Sequence, residues 1–145
     1  MRRKGTYIIL FTLGADAEVR VGALGTHLFE KGTYCYVGSA LGGLDSRVKR
    51  HLRKDKVLKW HADYLTTISD SREAYISYPD YIQECELARV AGESGMEPSV
   101  KGFGCSDCKC ETHLFKVNDK ALEEFLRRTG MKPFTDDAER SQSVL

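Results

Sequence analysis

The sequence predicts one α+β domain: a small three-stranded antiparallel sheet flanked by helices, with a C-terminal strand and helix extending it. Three observations predict it. β-branched and aromatic runs bounded by glycine succeed one another over the first 40 residues. The apolar period changes to that of a helix at Leu44. At 145 residues and 16.3 kDa the chain can bury one core and is too short for two full domains.

The elements follow in order. GTYIILFTL over 5–13 is a first strand, AEVRVGAL over 17–24 alternates and is a second, and THLFEKG turns into TYCYVGSA over 33–40, the third. Short connections between consecutive strands suggest an antiparallel meander. Leu44, Val48 and Leu52 then recur every fourth residue, with Asp45 and Ser46 early in the turn, where acidic and capping groups are favoured. The other face of this helix is basic. WHADYLTTI over 60–68 is mixed, and AYISY over 74–78 is a strand that Pro79-Asp80 breaks. Asp80 and Gln83 have capping-box spacing, and Tyr81, Cys85, Leu87, Ala88 and Ala91 make the buried stripe of a helix ending near 92–95. A Gly- and Cys-rich loop (101–112) leads to the strand HLFKV, then to a helix capped by Asn118, carried by Ala121, Leu122, Phe125 and Leu126, and stopped at Gly130. The domain is expected to span 1–130, with its core over 5–92, its extension over 101–130, and a flexible tail over 131–145.

A composition of 41% apolar, 10% aromatic and 30% charged residues excludes a disordered chain and a fibre. No apolar run approaches the roughly 18 residues of a membrane span, and the first residues are too polar for a secretory signal, so a soluble cytoplasmic protein without a membrane partner is expected. Five unevenly placed cysteines argue against a secreted disulfide framework and for reduced thiols. Net charge is only +1, but residues 1–60 carry +7 and residues 61–145 carry −6. Between Arg47 and Lys59 seven basic residues face one acid, Asp55, a density suited to phosphates or to a solvated helical face.

The chemistry concentrates in TYCYVGSALGGLDSRVKRHLRK. A strand carrying Tyr34 and Tyr36 runs through a Gly-rich turn into a helix carrying Arg47 and His51, an i, i+4 pair on one face. Arg47 beside such groups stabilises charge on a scissile phosphate while Tyr or His transfers a proton; core packing of the tyrosines is the plainer alternative. Glu84 falls on the core-facing arc of its helix, where a carboxylate needs an arginine partner or a hard divalent cation. Cys105-x-x-Cys108-x-Cys110-x-x-His113 offers the donor count of a structural zinc site, but in a compressed spacing that favours a turn whose cysteines pack beneath the sheet. Asp107, His61 and Asp63 suit hydrogen-bonded structural roles.

Tyr36-Val37-Gly38-Ser39 followed by Leu44-x-x-Arg47-x-x-x-His51 resembles the second half of the GIY-YIG nuclease signature. Gly5-Thr6-Tyr7 resembles its first half, and Glu84-x-x-Leu87 the later helix carrying the metal-binding glutamate. More narrowly, WHADYL, ECELA and GFGCSDCKCETHLF are similar to the Uri-type endonuclease branch, which extends the resemblance to about residue 117. The resemblance implies a GIY-YIG endonuclease-like fold and hydrolysis of DNA with one divalent ion, Mg²⁺ or Mn²⁺. Position by position, it implies Tyr7 and Tyr36 as the paired tyrosines, Arg47 as the phosphate-stabilising arginine, His51 as the helix histidine and Glu84 as the metal ligand. DNA would lie along Ser39, Arg50, Arg53 and Lys54, with an accessory domain or protein supplying target specificity. Tyr7 and Tyr36 stand 29 residues apart, further than in the family, so AEVRVGAL is an insertion and Tyr34 competes with Tyr7 as the partner of Tyr36. Two rival readings stand beside it: a non-catalytic nucleic-acid-binding module that uses the same surface, built on the basic helix 44–54, and an interaction domain stabilised by Zn²⁺ and built around the cysteine cluster.

Overall fold

The computed structural model describes residues 3–78, 80–105 and 110–135. In chain order it comprises β1 (Gly5–Leu13), β2 (Ala17–Arg20), a 3-10 turn (Gly22–Leu24), β3 (Thr26–Phe29), β4 (Gly32–Ala40), α1 (Leu44–Leu52), α2 (Asp63–Thr66), β5 (Ser71–Ser77), α3 (Glu84–Glu93), β6 (Glu97–Pro98), β7 (Leu114–Val117), α4 (Asp119–Thr129) and β8 (Lys132–Pro133). The main sheet is ordered β6-β7-β4-β1-β5-β8, with antiparallel pairings throughout the described strands.

β1 lies in the middle and is covered on both faces, which is why its sequence is a continuous apolar run rather than an alternation. Tyr7, Ile9, Phe11 and Leu13 join a cluster with Leu44 and Val48 of α1, Leu65 of α2, and Tyr34 and Tyr36 of β4. Ile8 and Leu10 join the opposite cluster, with Leu87 and Ala91 of α3 and Ala121 and Phe125 of α4. Charged groups close the C-terminus of α1: Lys56 Nζ donates to the carbonyls of Arg50 (3.1 Å) and His51 (2.8 Å), and Arg72 Nε to that of Leu52 (2.9 Å). In α4, Asn118 caps as expected, accepting from the Ala121 N–H at 2.8 Å, and Gly130 ends the helix at φ +69°.

Several expectations are corrected. The sheet has six strands rather than three: β5 and β7, expected as the separate strands AYISY and HLFKV, join it beside β1 and β4, and β6 and β8 add two-residue segments at its edges that are too short for a readable pattern. The meander is absent as well. Both edges of β1 are taken by β4 and β5, so β2 pairs only with β3, a strand within what looked like a turn, and the two form a separate hairpin. Val21 and Phe29 anchor that hairpin on the α1 side of the sheet. The Asp80 capping box does not form: α3 begins at Glu84 after an extended Gln83, and Tyr81 is exposed, with Lys4 over its ring. Residues 131–135 are not tail: β8 pairs with β5, and the Phe134 N–H donates to the Ala74 carbonyl at 2.9 Å. Residues 136–145 lie outside the described residues.

Candidate active site and metal cluster

The register of β1 against β4 sets Tyr7 opposite Gly38 and Ile9 opposite Tyr36, so both tyrosines face α1. Their ring centroids are 6.5 Å apart. His51, one helical turn beyond Arg47, is buried between them and Trp60, with its Nε2 2.9 Å from the Tyr7 hydroxyl. The sequence left Tyr34 and Tyr7 as rivals, and the structure separates them. Tyr34 stacks on Phe11 and donates to the Glu30 carbonyl at 2.7 Å, while Tyr7 stands beside Tyr36 and His51.

Ser39, at the end of β4, joins the two charged groups. Its carbonyl accepts from Arg47 Nη1 at 3.1 Å, and its hydroxyl donates to Glu84 Oε1 at 2.7 Å. Glu84 Oε2 lies 2.8 Å from His113 Nδ1. As the first residue of α3, Glu84 also sits where the helix dipole favours an anion. Its partner is a histidine and a serine, not the arginine that the sequence offered as the alternative to a cation.

Electrostatics fix the protonation states. Burial pushes the Glu84 carboxyl up, but the contacts with His113 and Ser39 outweigh it and hold the group below the usual carboxylate range. Burial raises both Tyr7 and Tyr36 well above an ordinary phenol, against the opposing charge of Arg47. His51 is pushed down to about 3, first by burial and then by the positive charge of Lys56. At neutral pH the site therefore holds a carboxylate, two phenols and a neutral imidazole.

One of the residues expected to touch DNA also makes several contacts within the protein. Arg50 forms a two-toothed pair with buried Asp63, at 2.9 Å for each bond, donates to the Val57 carbonyl at 2.9 Å, and lies over the Trp60 ring. Arg53 and Lys54 are exposed. Trp60, which sequence reasoning passed over, carries Arg47 on its ring at 4.7 Å; its position next to the basic helix was the only signal. His61 and Asp63 are structural as expected, since His61 Nδ1 accepts from the Gly104 N–H at 2.9 Å. Asp107 lies outside the described residues.

The cysteine cluster differs from the expected set. Cys110 and His113 meet Cys85, which comes from α3, with ligand atoms all within 4.8 Å of one another. Cys105 is not in that group and points its sulfur to the Phe103 carbonyl at 3.5 Å, while Cys108 lies outside the described residues. Spacing alone could not find Cys85, because it stands 25 residues before Cys110.

Gly38 makes the first site possible. A Cβ there would come 2.5 Å from both Cζ and Oη of Tyr7, a rigid ring already held by His51. Gly38→Ala is expected to lose about 1–3 kcal/mol in chemical denaturation. Tyr7→Leu in the same chain should recover part of it, and strictly additive losses would contradict the clash.

No helix among the described residues is long and apolar enough to cross a membrane. No curated protein and no solved structure gives a significant match to the chain. A family model described as a domain of unknown function, DUF123, matches residues 6–132, and a match over most of the chain, covering the tyrosine pair, α1, Glu84 and the cysteine cluster, shows that the protein belongs to that family.

Proposed function

We propose that the protein is a divalent-metal-dependent endonuclease that hydrolyses DNA phosphodiester bonds, acting through Tyr7, Tyr36, Arg47, His51 and Glu84. The observation that carries this reading is Ser39, which ties a guanidinium and an ionised carboxylate to one point at the end of β4, beside a tyrosine–histidine pair. The resemblance of these same residues to the GIY-YIG signature supports it.

Glu84 fits Mg²⁺ or Mn²⁺. Its carboxyl is held ionised, and the two contacts it makes leave lone pairs on a group that offers about four acceptor positions. A single carboxylate completed by waters and substrate phosphate oxygens is an ordinary Mg²⁺ environment. Bound there, the ion supplies positive charge where the phosphate gains negative charge. Arg47, seated on Trp60, holds a non-bridging phosphate oxygen. Neither tyrosine stands as a tyrosinate and His51 resists protonation, so the pair orients the attacking water and does not deprotonate it: the Tyr7 hydroxyl donates to His51 Nε2 and presents its oxygen to the water, whose proton passes to solvent. That hydrogen bond needs the tautomer with the proton on Nδ1. Arg53 and Lys54 extend the phosphate-binding surface along the C-terminal end of α1, and an accessory domain or protein selects the target.

The test is nicking of supercoiled plasmid and of branched DNA with Mg²⁺ or Mn²⁺. Glu84→Ala and Arg47→Ala are each expected to reduce the rate by roughly 10² to 10³ while DNA binding persists. Undiminished cleavage by Glu84→Ala would remove the metal role assigned to it. The burial of Tyr7 and His51, at 2% and 1% exposure, favours a second reading, a binding module without turnover. That reading predicts salt-sensitive DNA binding and no cleavage with either ion.

A further inference from the structure

We infer that the chain holds a second, chemically different metal centre, a zinc ion bound by Cys85, Cys110 and His113. These donors come from two separate places, the first turn of α3 and the segment entering β7, yet their ligand atoms converge within 4.8 Å of one another. In a tetrahedral zinc site with Zn–S bonds near 2.3 Å, neighbouring donors sit roughly 3.8 Å apart, so closing the group on an ion takes a shift of about 1 Å. Two thiolates and an imidazole select zinc or another soft ion over Mg²⁺, which prefers oxygen. The centre is therefore distinct from the one assigned to Glu84.

The surroundings match what such a centre needs. His113 is buried and clamped at its backbone, its N–H donating to the Phe103 carbonyl and its carbonyl accepting from the Val37 N–H, both at 2.9 Å. The Glu84 carboxylate beside its ring, at 2.8 Å, is the kind of outer contact that fixes the orientation and tautomer of a metal-binding histidine. A cavity of about 450 Å³, lined by Cys85 and Cys110 together with Ala88, Pro98 and Phe115, opens beside the two sulfurs and gives an ion a way in. Because His113 touches Glu84, the ion would also steady the carboxylate of the neighbouring site.

Metal analysis of the purified full chain should return one zinc per molecule, and Co²⁺ substitution should give a sulfur-to-cobalt charge-transfer band. Cys85→Ser and Cys110→Ser should weaken Zn²⁺ binding by at least roughly 100-fold, more than the loss of an outer contact, while Cys105→Ser retains it. Alkylation mapped by mass spectrometry on the unaltered protein needs no variant to fold: Zn²⁺ should slow modification of Cys85 and Cys110 and leave Cys105 unchanged. Absence of bound zinc and of a cobalt band would overturn the inference. So would protection of Cys105 without Cys85, or recovery of Cys85 and Cys110 as a disulfide with each other. None of these readouts depends on nuclease activity.

Discussion

Asp63→Ala is expected to destabilise the protein by about 3–5 kcal/mol, because it removes one partner of a buried ion pair and leaves the other uncompensated. Asp63 is fully buried in α2, and its carboxylate accepts four bonds: Nη1 and Nη2 of Arg50 at 2.9 Å each, and the N–H groups of Lys59 and Trp60 at 2.8 Å each. Burial pushes its pKa up, and the bonds from Arg50, Trp60 and Lys59 overcome that and hold it below the usual value. Truncation abandons two backbone donors and the guanidinium of an arginine whose side chain is only 20% exposed. Asp63→Asn keeps an acceptor and the shape, so its loss should be smaller. Urea titration of both variants measures the difference, and a loss under about 1 kcal/mol for Asp63→Ala would mean that Arg50 finds water at no cost. The site should feel the change too, since the segment that Asp63 pins presents Trp60 to Arg47.

Stability is also expected to fall as pH drops from about 6.5 towards 3, with His51 as the largest imidazole contribution. The sign follows from proton counting. Unfolded, His51 takes a proton near its ordinary 6.5; folded, burial and the charge of Lys56 delay protonation to about 3. Between these values the unfolded chain binds more protons, so acid favours unfolding, by up to roughly 1.4 kcal/mol per pH unit and roughly 5 kcal/mol across the window. His61, held low by burial, adds in the same direction. The carboxyl groups of Asp63 and Glu84, held low in the fold, contribute stability that disappears only at more acidic pH, so the interval from pH 6.5 to 5 isolates the histidines. His51→Gln should flatten the dependence of unfolding free energy on pH over that interval. An unchanged slope would show that His51 protonates in the folded protein, and with it that the Tyr7–His51 bond survives a charged imidazole.

What the sequence made legible was local. Leu44 and Val48, Asn118 and Gly130, and the apolar run of β1 each act through neighbours within a few residues, and each stands where the pattern placed it. Partner choice is not local. The alternation of AEVR correctly marks a strand, but nothing in those residues says that β1 already has two neighbours. The same limit applies at the candidate site. Arg47 and His51 are four apart on one helix and were found together, whereas Ser39 as the link to Glu84 depends on how α3 crosses the end of β4. Arg50 looked identical to Arg53 in the basic stripe until Asp63 distinguished them, and Cys85 carried no spacing that tied it to Cys110. Capping by Asp80 failed because the chain stays extended through Gln83, bringing the Ile82 carbonyl to the Thr6 hydroxyl at 2.6 Å, a tertiary bond that outweighs a local one.

The hairpin inserted between β1 and β4 also bears on the order in which the protein folds. The ladder from Leu13↔Gly32 to Gly5↔Ala40 pairs strands separated by residues 14–31, so forming it directly requires closing a long loop. The β2–β3 hairpin shortens that search. Once Ala17 has paired with Phe29, and the Lys31 N–H has reached Asp16 Oδ1 at 2.8 Å, the ends of β1 and β4 are already neighbours and their registry can propagate towards Tyr7 and Gly38. The segment that separates the two tyrosine motifs in the chain thus holds the ends of their strands together in the fold, and its tight turn, with Gly22 and Gly25 at positive φ, reduces the loop that the central pairing must close.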